Sequence, residues 1–457
     1  MKRLPGEDIV AFLDFSGDGR GRLKALEELR PRKWNQVLQW LDGSGLAFYF
    51  LHKLRETNAT DAVPAWVLSR LMQNFAGNQD RVEAMSRQFA FLNRRFSEAG
   101  VQYGVVKGFS VVPEFCPDAT LRHQGDLDYL VEGEFPADAL RVLTDAGYVA
   151  KQSRSSREAI YVIPDGEQLY SGSRRPSRAQ RAVELHAVEL HLDIWDSGMH
   201  GVPSISNLFS VRRARVQHWN GLTFPALAVE DAFLLQVVHA CHHLFTLWMR
   251  MSCLYEIAYF LNRRAGDMEL WSGIEERAGD SAVLREFIVV ISELAARLFA
   301  SPLPPVVQRW GAEIRPGVRT WIDHYARYWA LCELPVYEFR WLPRSKLALF
   351  LRQQYVGATA AATSSEQNHA AASRLKRIAH AIREEPSLAL NAVWWKRQML
   401  VRRAAFHALA GARYVCAIPR WLWLNRGRVR AGASSLDGRV REVLSTSISG
   451  RRTEGPS

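Results

Sequence analysis

Val105-Val106-Lys107-Gly108-Phe109-Ser110 and, after a loop bearing Pro117 and Arg122, Gly125-Asp126-Leu127-Asp128-Tyr129-Leu130-Val131 decide how this chain folds and what it does. Asp126 and Asp128 stand one residue apart inside an apolar run. On a strand, side chains alternate with period two, so both carboxylates point from the same face. Two such groups, about 6 to 7 Å apart at their backbones, repel each other, and burial without compensation raises their pKa. A divalent cation removes the conflict, and magnesium or manganese suits hard oxygen ligands. The Lys107-Gly108 turn leads into a predicted helix over residues 109–115, which would bring helix-start amides to the same spot, where phosphates are favoured. Lys107, Gly108, Ser110 and Arg122 are therefore the candidate nucleotide-binding residues. Gly108 permits close backbone approach to phosphates, and Ser110 is read as contacting them beside it. Lys107 either touches a triphosphate oxygen or ends the strand in water. Arg122 either pins the loop before the acidic strand by hydrogen bonds or neutralises phosphate charge, with pinning the simpler role.

Outward from this stretch the chain is mostly helical. Residues 1–100 read as an N-terminal helical region, in which Trp34, Val37, Leu38 and Leu41 recur at intervals of three to four and Asn58-Ala59-Thr60 with Pro64 breaks the pattern. Residues 101–200 alternate as α/β: strands are predicted over 101–106, 127–131 and 161–163, and a helix over 137–146. A polar run over 171–177 reads as a surface loop. Residues 183–194 return to strict alternation, with Glu189, His191 and Asp193 on one face and Val188, Leu190, Leu192 and Ile194 on the other. Residues 201–356 are assigned to a helical domain, and 357–457 to a low-complexity linker followed by a basic, tryptophan-containing helical region.

Composition limits the partners. Ala371 to Ser457 carries 17 Lys and Arg against five Asp and Glu; the totals are 59 and 47, so residues 1–370 hold 42 of each. The whole net charge of +12 thus lies in the C-terminal segment, where Trp394, Trp395, Trp421 and Trp423 stand among the arginines. That mixture fits an anionic membrane surface or polyanion, and the same tryptophans also fit the core of a helical bundle. No specific nucleic-acid motif is evident. The five cysteines form no Cys-x-x-Cys pair, and no long apolar run marks a signal peptide or membrane span. The simplest expectation is a cytoplasmic protein, peripheral to the membrane if its basic end binds one. Neither Gly-x-Ser-x-Gly, Gly-x-x-x-x-Gly-Lys-Ser/Thr nor Gly-x-Gly-x-x-Gly occurs, which excludes the usual hydrolase, P-loop and dinucleotide signatures.

The motif resembles an uncharacterised branch of the DNA polymerase β-like nucleotidyltransferase superfamily, the group with a Lys-Gly turn and a downstream Arg-x-x-x-Asp-h-Asp strand, h being hydrophobic. The matching residues are Lys107-Gly108, Pro117-Asp118, Leu121-Arg122, Asp126-Leu127-Asp128 and the helix-closing Ala146-Gly147-Tyr148. Leading helices around 34–51 and 78–96, and a later helix opened by Glu230-Asp231 and carrying His239, His242 and His243, extend the resemblance over roughly residues 30–265. Most superfamily members begin with Gly-Ser where this chain has Lys-Gly. The resemblance implies an α+β fold, a polymerase β-like core of a small mixed sheet with helices, embedded in a mainly helical chain. It also implies transfer of a nucleoside monophosphate from a triphosphate, ATP among the candidates, to an unidentified hydroxyl or phosphate acceptor on a small molecule, peptide or protein. A third metal carboxylate should come from a neighbouring strand. Glu189, centred in the better strand, is favoured, with Glu184 and Asp193 as alternatives because Val183-Glu184-Leu185-His186 and Val188-Glu189-Leu190-His191 duplicate one another.

Two further readings stay open. A catalytically silent scaffold whose basic C-terminal region binds a membrane surface or polyanion is the alternative from another class. His239 and His243 share a helix face and suggest metal, but there is no His-Glu-x-x-His motif and no clear third ligand; lining the cleft is their simpler role, where one of them or Arg250 would meet nucleotide or acceptor.

Overall fold

The computed structural model describes residues 6–17, 20–131, 137–155, 158–162, 187–192, 209–246, 250–324 and 326–331. The expected loop at 171–177, the linker and the basic C-terminal region lie outside the described residues, as do Glu184 and Asp193.

The leading residues form helices α1 (Glu7–Phe12), α2 (Arg20–Glu27), α3 (Pro31–Ser44), α4 (Ala47–Glu56) and α5 (Ala65–Glu98). Pro31 sits at the start of α3, where its missing N–H costs nothing, and Gly45 ends the helix in the left-handed region at φ 77°. The predicted stripe of Trp34, Val37, Leu38 and Leu41 is its buried face. α5 spans 34 residues, about 51 Å at helical rise. Its buried face includes Val82, Met85, Phe89, Leu92 and Phe96 and lies across a sheet.

That sheet has seven strands: β1 (Tyr103–Val105), β2 (Asp126–Val131), β3 (Val149–Ser155), β4 (Glu158–Val162), β5 (Ala187–His191), β6 (Arg215–Trp219) and β7 (Leu222–Ala226), ordered β3-β4-β5-β2-β1-β7-β6. β2 runs parallel to β5 and β1 parallel to β7, while the other neighbours are antiparallel. The result is the expected α+β architecture around a mixed sheet. β6 and β7 form a hairpin that the strand periodicity above leaves unassigned; its turn is Asn220-Gly221, both residues at positive φ, as a tight two-residue hairpin requires. Because β7 pairs with β1, the sheet draws on residues on both sides of position 200.

One prediction next to the site is corrected. In place of a helix over 109–115 there is a single 3-10 turn, Gly108–Val111, followed by extended Val112. Proline disfavours helical backbone in the residue before it, and Pro113 stops the helix there.

The sheet's two faces are dressed differently. Tyr129 and Tyr103 point toward α5, where Phe96 meets their rings at 5.1 and 5.2 Å and Phe89 packs against Phe109 and Phe224. Leu130 takes the other face, clustered with Val106, Val211, Leu227 and Leu235. Asp126 and Asp128 share the parity of Leu130, so alternation sends them to the face away from α5.

Beyond α6 (Ala137–Asp145) and the hairpin, the chain continues as α7 (Val229–Thr246), α8 (Met251–Arg264), α9 (Met268–Ala278), α10 (Ala282–Phe299), α11 (Pro305–Glu313), α12 (Pro316–His324) and α13 (Ala326–Leu331). Asp267 and Ser281 cap α9 and α10 by accepting hydrogen bonds from the backbone N–H of Leu270 and Leu284. The N-terminal helices join this body: Phe15 donates its N–H to Phe299 O at 2.8 Å and stacks on Tyr255 at 5.4 Å. One large apolar cluster therefore joins the helical body to the α5 face of the sheet, while the smaller Leu130 cluster covers part of the other face.

Candidate active site

The parallel pairing of β2 with β5 sets Asp128 opposite Glu189 and Leu130 opposite His191. Period-two alternation keeps Asp126, Asp128, Glu189 and His191 on one face, and one ligand atom from each of Asp128, Glu189 and His191 lies within 4.8 Å of the other two. His191 Nε2 is 2.9 Å from Asp128 Oδ1 and 3.6 Å from Glu189 Oε2. Of the three possible third carboxylates, Glu189 is the one among the described residues, and it faces Asp128 across the strand pair. His191 was visible in the sequence as a residue on the acidic face, but only the pairing brings its ring onto Asp128.

Lys107 closes the cluster from β1's end, its Nζ 2.7 Å from Asp128 Oδ1. Burial pushes the Asp128 carboxyl upward, but the Lys107 ammonium and the His191 hydrogen bond outweigh it and hold the group well below the usual carboxylate range. Burial alone would lower the Lys107 pKa; Asp128, Glu189 and Asp126 together raise it. Asp126 goes the other way: burial and repulsion from Asp128 raise its pKa, offset in part by Lys107, His191 and Arg250. Three carboxylates thus face one ammonium, and the Asp126 charge is left disfavoured. A divalent cation would correct that imbalance, and oxygen donors on two adjacent strands with one imidazole are suitable ligands. The residues present fit such an ion.

Gly108 has φ 62°, and a Cβ there would come 2.9 Å from Gln124 Oε1, so glycine is required both for the backbone and for space. The Ser110 hydroxyl donates to Lys107 O at 3.1 Å, bracing the turn from within. Arg122 does not stand against the acidic pair: its Nε donates to Glu256 Oε1 on α8 at 2.8 Å, and both side chains are largely buried. Tyr49 on α4 donates to the same Glu256 oxygen at 2.9 Å, and Asn78 on α5 donates to the carbonyls of Thr120 and Arg122 at 2.8 and 2.9 Å. Arg250, just ahead of α8, donates to His123 O at 3.1 Å. The loop that delivers Asp126 and Asp128 is therefore tied directly to α5 and to α8 and its leading residue, and through Glu256 to α4. Glu256 and Tyr49 carry no local sequence signal for this role, because their partners lie far away along the chain.

His239 and His243 face each other on α7, with Nε2 atoms 3.1 Å apart. No described helix is long and apolar enough to cross a membrane.

A family model described as uncharacterised nucleotidyltransferase matches residues 30–300. No curated protein and no solved structure matches.

Proposed function

The chain belongs to this uncharacterised nucleotidyltransferase family, whose model covers more than half its length, and on that premise we propose magnesium-dependent transfer of a nucleoside monophosphate from a triphosphate to a hydroxyl or phosphate acceptor. The observation that carries the reading is the Asp128–Glu189 pairing across β2 and β5, with Asp126 and His191 on the same face. Asp126, Asp128 and Glu189 would hold the metal, magnesium or manganese. When bound, such an ion neutralises phosphate charge and activates the attacking oxygen.

The protein's own groups have separate parts. His191 orients Asp128 through its 2.9 Å contact, as partners of metal-binding carboxylates commonly do. Lys107 balances Asp128 and is the cation nearest the acids to meet a triphosphate oxygen. Gly108 supplies the positive-φ turn that Ser110 braces beside the acids, and the backbone of that turn would approach the phosphates. Arg122 acts as a positioning residue through Glu256, and Arg250 adds positive charge near Asp126. The silent-scaffold reading is disfavoured because the described acid set is intact.

The test uses purified full-length protein with magnesium and each labelled nucleoside triphosphate, scoring pyrophosphate release and label transfer to the protein or to added acceptors. Release that disappears in Asp128→Asn supports the proposal. Identical behaviour of the two proteins removes it.

A further inference from the structure

The second histidine cluster acquires a partner that its own helix does not contain. His239 and His243 lie one turn apart on α7, rings 4.5 Å apart and Nε2 atoms 3.1 Å apart. Cys253, in the first turn of α8, brings its sulfur to the same place, so that one ligand atom from each residue lies within 4.8 Å of the other two. Neither the acidic cluster nor the transfer chemistry uses these three side chains.

We propose that His239, His243 and Cys253 form a second metal site, built for zinc or a similar borderline cation and separate from the acidic cluster. Two imidazole nitrogens and one sulfur are the wrong donors for magnesium, which takes hard oxygens, and the right ones for zinc. With zinc bonds of about 2.0–2.1 Å to nitrogen and about 2.3 Å to sulfur, tetrahedral edges come to about 3.3 Å between nitrogens and about 3.6 Å from nitrogen to sulfur. The two nitrogens already stand at 3.1 Å, and the Cys253 sulfur lies within 4.8 Å of a ligand nitrogen of each histidine. Cys253 and the histidines supply three donors among the described residues, leaving one tetrahedral position for water or another ligand.

The position gives the ion something to do. It would join the last turns of α7 to the first turn of α8, directly after Arg250, whose guanidinium holds the carbonyl of His123 in the loop leading to Asp126. Cys253 is within electrostatic reach of Glu256, which raises its pKa, and of Arg250, Arg122 and Lys107, which lower it. Burial first, and then the Glu256 carboxylate, push its thiol up to about 11 against the pull of those three cations. Binding would therefore release the thiol proton to solvent as sulfur bonds to the metal.

Cobalt(II) is the probe, because thiolate ligation gives a near-ultraviolet charge-transfer band and tetrahedral geometry gives intense visible bands. Full-length protein, stripped with chelator, should bind a single equivalent with both features, and zinc should displace it while excess magnesium does not. Cys253→Ser should lose the charge-transfer band, His243→Asn should lose the tetrahedral bands, and Asp128→Asn should keep both. If Cys253→Ser fails to fold, His239→Asn should lose the tetrahedral bands as His243→Asn does, and their persistence in it overturns the proposal. Absence of the charge-transfer band in the parent, or its persistence in folded Cys253→Ser, overturns the proposal and leaves His239 and His243 as a hydrogen-bonded pair.

Discussion

Lys107 holds its ammonium 2.7 Å from Asp128 Oδ1, in the position of a resident counter-charge for the most deeply buried acid of the cluster. This pairing separates the two aspartates that the sequence presents as equivalents. Asp128 is a carboxylate the fold stabilises, whereas Asp126 is one the fold tolerates.

The first prediction concerns that difference. Both Asp126→Asn and Asp128→Asn should abolish nucleotidyl transfer. In metal-free buffer Asp126→Asn should be no less stable than the parent, because it removes a disfavoured charge. Asp128→Asn should cost about 3 kcal/mol by removing the carboxylate that the mostly buried Lys107 ammonium contacts directly. Urea denaturation of both variants in chelator decides it, and equal stabilities would contradict the pairing.

Glu189 and His191 should also separate. Glu189→Gln removes a carboxylate ligand and should weaken magnesium-dependent activity at least about 100-fold, while His191→Gln, which disturbs the orientation of Asp128, should lower metal affinity about 10- to 100-fold with partial rescue by excess magnesium. Activity measured against magnesium concentration distinguishes the two. Full rescue of both by metal would make Glu189 a positioning residue as well.

The Arg122–Glu256 pair should behave as a structural unit. Arg122→Ala should cost about 3–5 kcal/mol, because it strands a buried carboxylate that Tyr49 alone contacts, and Arg122→Ala/Glu256→Gln should recover part of that loss. A double-mutant cycle in urea measures the coupling; additive losses would argue against it.

Alkaline pH should destabilise the fold before it ionises the folded thiols. Burial pushes Cys116 up to about 12 and Cys253 up to about 11, so the folded chain keeps protons that the unfolded chain releases near pH 9. The unfolded state then binds fewer protons, and stability falls as pH rises from about 9 toward 12. Thermal denaturation between pH 8 and 11 should show this slope, reduced in Cys116→Ala. At neutral pH neither thiol should react with iodoacetamide until the protein unfolds.

The charge asymmetry yields a separate test. Removing residues 371–457 takes away all of the net +12 and should abolish cosedimentation with anionic vesicles while sparing magnesium-dependent nucleotide binding. Exposed basic residues at an anionic surface contribute about 1 kcal/mol each and are screened by salt, so binding by the full chain should weaken as ionic strength rises. Salt-insensitive binding shared by both proteins would place the membrane contact elsewhere.

By itself the sequence determined what local rules can encode. Alternation put Asp126 and Asp128 on one strand face, the apolar stripe from Trp34 to Leu41 defined a helix, and the acidic face carrying Glu189 and His191 marked a second strand. The motif around Lys107-Gly108 and Asp126-Leu127-Asp128 was specific enough to point to the nucleotidyltransferase family to which the chain belongs. These are properties of neighbours within a few residues, where backbone geometry alone fixes which side chains share a face.

Only the tertiary structure decided how such faces meet. The strand register joins Asp128 to Glu189 and His191, and nothing in either strand specifies its partner across some sixty residues. Arg122 finds Glu256 on a helix from another part of the chain, which gives a residue that also reads as a phosphate ligand its place as a tie between loop and helix. Cys253 reaches His239 and His243 only because α7 and α8 lie side by side. Residue types and spacing could nominate the acids, but a site is a set of distances between segments, and packing sets those distances.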